Sequence, residues 1–298
     1  MDRLDTLRIL AAEATSGELA FPTSAAAALR VREALDDPDC ELPAAVRLIQ
    51  AEPLLSARVV AVANSAAYNR SGRAVTDVRA AVTLLGFRTV RSLAMALVAR
   101  QMAGTPAAPA HRDLALRLWE HSASVAALAQ VTARLITRQD PETALFAGMV
   151  HEIGGFYLIS RAKDFPGLLD GDPWDWLGED REEGEADNRS APGRAEQSTP
   201  ERDIGRAILA ALSVPEAVVA AIEVLWTGYL SFPPASLGDT LLLADQLASV
   251  KSPLRQERGK PREEKAAAID LVMEDESLSG ALEESAAEVK SLTDALRF

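Results

Sequence analysis

Apolar residues recur along most of the chain at steps of three and four and nowhere hold a strict alternation with polar ones. Helical periodicity therefore wins over strand periodicity from end to end, and the expected fold is all-α, a multi-helix bundle. The stretch SAAAALRVREAL forms the first core helix, with Thr23 or Ser24 as its N-cap and the turn-forming run Asp36 to Asp39 as its stop. Pro43 and Pro53 fall where a first helical turn tolerates the missing N–H, and they open PAAVRLIQ and PLLSARVVAVAN, the second closing at Asn64. Asp77 caps VRAAVTLL, Gly86 closes it in the left-handed conformation, and a further helix runs from Thr89 to about Met102.

GTPAAPA then links to a second half. From Arg112 the positions Leu114, Leu118, His121, Val125, Leu128, Thr132 and Leu135 make one seam on a long helix, which aims His121 inward. After Asp140-Pro141, ETALFAGMVHEIGGFYLIS reads as a single buried helix carrying His151 and Glu152 near its middle, and a polar pair there requires partners. Helices resume as ERDIGRAILAAL, PEAVVAAIEVLW and ASLGDTLLLADQLASV, and a mixed-charge link, SPLRQERGKPREEK, precedes a final amphipathic pair. The expected organisation is an N-terminal extension (1–20), a first helical half (21–104), a second half (111–250) with an acidic loop at 170–200, and a C-terminal helical extension (251–298).

Composition adds exclusions. A chain of 298 residues with 48% hydrophobic content can bury a core without staples, and the single Cys40 leaves no internal disulfide to form. A formal net charge of −13 repels the phosphate backbone on which nonspecific nucleic-acid affinity rests, so no nucleic-acid partner is expected. The opening residues lack a signal-peptide pattern and no stretch approaches the roughly 18 to 20 apolar residues of a membrane span, which predicts a soluble, cytoplasmic protein without a membrane partner. Residues 170–187 hold nine acidic side chains against the single Arg181 and read as a mobile surface loop; Trp174 and Trp176 within it either cover a pocket or anchor the loop to the core.

GxGxxG, Walker, HExxH, CxxC and GxSxG patterns are all absent. The most informative set is His121, His151, Glu152 and Asp245: two imidazoles and two carboxylates that could hold a divalent cation and activate water for phosphoester hydrolysis. The plainer reading makes the histidines core residues satisfied by a carboxylate or carbonyl. A second set is Arg70, Arg73, Arg79, Arg88, Arg91 and Arg100, in a stretch whose only acid is Asp77. It offers guanidinium forks to a small anionic ligand or an acidic partner, or is a solvated face paired with the acidic loop.

Residues 36–93, from DDPDCELPAAVRLIQAEP through NSAAYNRSGRAV to LLGFRTVRSL, resemble the signature half of HDOD domains, the HD-related output domains of bacterial signalling proteins. LWEHS at 118–122 and ALFAGMVHEIGGF at 144–156 resemble that family's second half, and the similarity spans roughly residues 20 to 250. The resemblance implies an HD-type helical bundle and a noncatalytic regulatory module that acts on a separate signalling protein, with Asn64, Ser65 and Gly86 as structural hallmarks. The wider HD superfamily holds metal with His…His-Asp…Asp, which maps onto His121, His151, Glu152 and Asp245. Glu152 departs from that pattern, and its extra methylene displaces the carboxylate. Glu201 and Leu225-Trp226 stand where the cyclic-dinucleotide phosphodiesterase branch carries further histidines, and its GYP signature is missing. No cofactor is therefore expected. The alternatives are a metal-dependent phosphohydrolase that works with Glu152 and a divalent cation, and a sensor that binds an anionic nucleotide at the arginines without cleaving it.

Overall fold

The computed structural model describes residues 3–16, 26–169, 199–227, 230–231, 233–254, 280 and 282–297. The expected caps Thr23 and Ser24, the acidic loop of 170–187 with Trp174 and Trp176, and most of the mixed-charge link lie outside the described residues. Within them the regular structure is helical. The first half contains α1 (Arg3–Thr15), α2 (Ala26–Asp36), α3 (Leu42–Gln50), α4 (Pro53–Ala63) and α5 (Val78–Met102). Pro43 and Pro53 sit in the first turns of α3 and α4, and Asp77 accepts a hydrogen bond from the Ala80 amide at 2.9 Å. Each local signal works as its chemistry demands.

Asn64 caps α4 and also ties down the loop that follows. Its side-chain amide donates to the Val60 carbonyl at 3.0 Å and the Val75 carbonyl at 2.7 Å, while its oxygen accepts from the Val75 amide at 2.8 Å. The loop is closed on itself across eleven residues by one side chain.

Gly86 breaks α5, but with φ 76 and ψ 164 it lies outside the left-handed well that the sequence suggests. That region is open essentially to glycine alone. A Cβ there would meet no atom within 4 Å, so the constraint is torsional and not one of space. The kink turns the second part of α5 into the core, where nearly every residue from Thr89 to Met102 is buried. Contrary to the expectation that no stretch approaches a membrane span, α5 is long and apolar enough for one by length and composition, and 67% of its apolar window is buried within the protein.

The second half begins with α6 (Pro109–Thr132), which runs into a π-helical turn at Ala133–Thr137 that Arg138 ends at φ 56. It continues through α7 (Pro141–Val150), α8 (Ile153–Arg161), α9 (Pro200–Ala211), α10 (Glu216–Thr227) and α11 (Leu237–Leu247). The single helix expected through His151 and Glu152 is two helices. His151 stays helical, Glu152 leaves the helix at φ −100 and ψ 18, and α8 restarts through Gly154 and Gly155. Apolar periodicity cannot register such a break, because both pieces are buried nearly all round.

Gly148 explains why α7 can lie so close to α6. A Cβ on it would stand 2.5 Å from the Ala126 Cα and 2.8 Å from the Ala126 amide nitrogen, both backbone atoms with no freedom to yield. The final helix, α12 (Ala286–Leu296), packs across α4 and α6, and α1 packs on α9.

A buried polar cluster joins the two halves. The Tyr68 hydroxyl donates to the Glu142 carboxylate at 2.8 Å, the Thr89 hydroxyl donates to the same group at 2.7 Å, and the Gln130 amide donates to the Tyr68 oxygen at 2.8 Å. Burial, and then the adjoining Glu142 charge, push the Tyr68 phenol far above its ordinary value, so it stays a donor at any physiological pH.

Gly86→Ala is expected to cost about 1–3 kcal/mol by forcing a side chain into a glycine-only torsion. Tyr68→Phe should cost a similar ~1–3 kcal/mol, because the half-buried Glu142 carboxylate loses a hydrogen-bond donor. Urea-unfolding midpoints of both variants against the parent chain check these values.

Candidate metal centre

Three helical segments bring the predicted residues together. His121 lies on the inner face of α6, His151 closes α7, and Asp245 stands in the last turn of α11. One ligand atom from each of the three lies within 4.8 Å of the others. The His121 and His151 side chains are 1% and 0% exposed and that of Asp245 14%, so the centre sits at the edge of the core.

The orientation of the rings follows from the backbone. His121 Nδ1 lies 2.8 Å from the Val250 carbonyl, and His151 Nδ1 lies 2.8 Å from the Gly148 carbonyl. A carbonyl only accepts, so both Nδ1 atoms carry the hydrogen and both Nε2 atoms of the neutral rings present lone pairs. Those two Nε2 atoms face each other at 3.2 Å, and Asp245 Oδ1 approaches His121 Nε2 at 3.2 Å. Two lone pairs and a carboxylate converging on one point repel unless a proton or a cation sits among them. The plainer reading, core histidines satisfied by protein groups, accounts for Nδ1 on each ring and requires a shared proton where the two Nε2 atoms meet Asp245.

The donor set fits a cation. Ligands held at about 2.1 Å around a tetrahedral ion stand roughly 3.4 Å apart, close to the two 3.2 Å separations seen here. Nδ1–H donation to a backbone carbonyl is the support that metal-ligating histidines commonly receive. Glu152 lies just outside: its Oε1 is 3.9 Å from both His121 Nε2 and His151 Nε2. Of the four residues carried over from the HD pattern, three converge and the one that departs from it stands back.

A capping box holds α11 in place. Ser236 accepts from the Asp239 amide at 3.0 Å, and the Asp239 carboxylate accepts from the amides of Ser231 at 2.8 Å, Ala235 at 3.1 Å and Ser236 at 2.9 Å. Burial works to raise the Asp239 carboxyl, but these donors together hold it below the usual aspartate value.

A cavity of about 70 Å3 opens beside His151 and Glu152, walled by Glu201, Arg202, Trp226 and Leu254 among others. Ligand pockets commonly measure about 300–1,000 Å3, so this space suits an ion with its waters or a small group and not a nucleotide. Trp226 narrows it. The indole packs over Gly205, its carbonyl accepts from the Arg202 guanidinium at 3.1 Å, and the Arg206 guanidinium lies 5.5 Å from the ring. Burial raises the Glu201 carboxyl above its ordinary value despite nearby Arg3 and Arg202. Glu201 and Trp226 thus both line the cavity. Sequence reading missed Arg202 as a wall residue and Gly148 as the residue that sets the approach of His151, since neither carries a chemical signature.

The arginine set does not form one surface. Arg88 pairs with Asp140 at 3.0 Å, Arg91 with Asp36 at 2.7 Å, and Arg100 lies 5.8 Å from the Trp119 ring. Arg70, Arg73 and Arg79 are exposed on the loop that Asn64 closes and on the first turn of α5. Ser65 is buried and donates to the Val62 carbonyl at 2.7 Å, a structural contact.

The HDOD domain family matches residues 21–225 of the chain. No curated protein matches it significantly. Among solved structures, a provisionally assigned metal-dependent phosphohydrolase from Shewanella amazonensis superposes with a TM-score of 0.69 at 21% identity, covering 99% of this chain and 100% of the other. An HDOD domain protein of unknown function from Geobacter sulfurreducens gives 0.61 at 23% identity, covering 98% of each chain. A provisionally assigned signal transduction protein from Marinobacter aquaeolei gives 0.56 at 18% identity, covering 99% of this chain and 66% of the other. At these identities the likeness establishes a shared fold.

The lowered Asp239 carboxyl contributes stability that is present above the ordinary aspartate value and is lost as pH falls through its depressed one. Asp239→Asn should therefore lower stability at pH 7 by about 1–2 kcal/mol and flatten its decline on acidification below about pH 4. Urea midpoints measured from pH 7 to pH 2 for both chains check this.

Proposed function

Because the chain belongs to the HDOD family, we propose that it is a noncatalytic signalling module of the bacterial cytoplasm that acts through protein contacts and uses its three-ligand centre as a cation staple. The observation that carries this reading is the pairing of convergent ligands with a cavity too small for a nucleotide: His121, His151 and Asp245 meet within 4.8 Å, beside a space of about 70 Å3. His121 on α6, His151 at the end of α7 and Asp245 on α11 would hold such an ion, which would tie the three helices together and relieve the repulsion between the two facing Nε2 atoms. When bound, a divalent cation supplies Lewis acidity and binding free energy; the chain's own residues supply the cage, and Trp226 with Glu201 restricts access to it.

The second reading is a metal-dependent phosphohydrolase, and the spacing of the donor atoms favours it as well. It matches the description given to the Shewanella protein of the same fold. It requires Trp226 to move away from Gly205 so that a phosphoester can enter, and Glu152 to do the work of aspartate from 3.9 Å away.

Metal analysis of the purified chain is expected to find close to one transition-metal ion per chain. Chelation should lower the melting temperature, since an ion at 100 times its dissociation constant adds about 2.7 kcal/mol. His151→Ala and Asp245→Asn should each weaken Mn2+ binding at least about tenfold, while Glu152→Gln should change it less than about threefold, because only the first two place ligand atoms in the cluster. Neither bis(p-nitrophenyl) phosphate nor a panel of cyclic dinucleotides should be hydrolysed. Turnover that disappears with His151→Ala overturns the noncatalytic reading, and a chain that takes up no metal overturns the staple.

A further inference from the structure

Of the two imidazoles in the centre, His151 is oriented from within its own helix and His121 from far outside it. His151 Nδ1 donates to Gly148, one turn back on α7, whereas His121 Nδ1 donates to the Val250 carbonyl, a sequence separation of 129. Val250 lies in the segment 248–254 that follows α11 and is not helical. The group that receives the free N–H of a ligating histidine sets the ring's orientation and fixes which nitrogen faces the ion. The carbonyl of an irregular segment can do this only if its neighbours anchor it.

The anchors are buried. Ala248, Ser252 and Leu254 are at most 6% exposed, and the Leu254 amide donates to the Ser252 hydroxyl at 3.3 Å. Leu254 seats on Gly155 of α8: a Cβ there would stand 2.3 Å from the Leu254 Cδ1, so the glycine makes the seat. Leu254 also walls the cavity beside His151 and Glu152. The segment is therefore continuous with the Asp245 helix at one end and fastened to α8 at the other, with the Val250 carbonyl between.

Imidazole chemistry couples this segment to the centre. When His121 Nε2 faces a cation, the single hydrogen of the neutral ring sits on Nδ1, and donation to Val250 is obligatory. Otherwise the hydrogen is served as well on Nε2, where Asp245 Oδ1 and His151 Nε2 stand as acceptors at 3.2 Å each. A lone pair on Nδ1 would then meet the Val250 oxygen at 2.8 Å. We propose that Leu254 is a positioning residue for cation binding: seated on Gly155, it holds the Val250 carbonyl where it keeps His121 Nε2 aimed at the ligand point, and occupancy of that point in turn orders residues 248–254. The inference rests on the cation-staple reading and adds the segment through which occupancy is felt outside the centre. The coupling is reciprocal, so the factor by which release of the segment weakens the cation is the factor by which the cation suppresses release.

The test reads Mn2+ affinity by isothermal titration calorimetry and amide exchange of a peptide spanning 248–254 by mass spectrometry, both on the full-length chain. Saturating Mn2+ should slow exchange of that peptide at least about tenfold in the parent. Leu254→Ala should weaken Mn2+ binding about ten- to a hundredfold, the cost of losing a histidine's outer partner, and remove most of the protection. Leu254→Met refills the seat and should restore affinity to within about twofold. Leu254→Val, a milder truncation, should weaken binding about fivefold and carries the test if the alanine variant does not fold. Leu55→Ala removes a fully buried leucine from α4 and should leave Mn2+ affinity within about twofold, although it also destabilises the chain. Equal losses of affinity in Leu55→Ala and the Leu254 truncations overturn the positioning role, as does parental affinity in those truncations. A parent that binds Mn2+ without protecting 248–254 overturns this inference alone, whereas a parent that binds no Mn2+ overturns the staple and this inference with it.

Discussion

The backbone of α7 touches the backbone of α6 at Gly148 and Ala126, and the centre of the molecule depends on that contact. No side chain could stand between the two helices there, since even a methyl group would fall 2.5 Å from a neighbouring Cα. His151 lies one turn beyond Gly148 and sends its Nδ1–H back to that residue's carbonyl at 2.8 Å, while His121 lies just over one turn before Ala126. The short interaxial distance is therefore what brings the two imidazoles to 3.2 Å. Widening it would carry the two Nε2 atoms beyond the reach of a single cation.

Two buried polar clusters share the protein interior, and they differ in a way that separates scaffold from site. The Tyr68, Thr89, Gln130 and Glu142 cluster arranges donors around a carboxylate, with each hydroxyl aimed at a matching acceptor. It holds the two halves together. The His121, His151 and Asp245 cluster has the opposite arrangement. Its two rings spend their hydrogens on backbone carbonyls and turn acceptors toward one another and toward a carboxylate. Surplus acceptors focused on one point are what a cation requires.

The C-terminal helix and the arginines show the same logic at the surface. Charges that look like one basic island along the chain are assigned by the fold to separate tasks: Arg88 and Arg91 bind acids on α2 and ahead of α7, while Arg100 stacks on Trp119 beside the groove that receives α12. Solvent-exposed pairs of this kind contribute little stability each. Their value is in fixing which faces meet.

Much of the helical plan was legible in the residues because caps and breakers act locally. Pro43, Pro53, Asp77 and Asn64 each satisfy or remove a backbone group within a few positions of themselves, so their effects need no knowledge of the rest of the chain. The inward aim of His121 was legible for the same reason, as a seam with a period near 3.6. Tertiary structure alone decided the break between His151 and Glu152, the torsion Gly86 adopts, the withdrawal of Glu152 to 3.9 Å, and the meeting of α6, α7 and α11 at three ligand atoms. Each of those depends on how closely helices distant in sequence approach one another, and that distance is set by packing across the core, which no local pattern encodes.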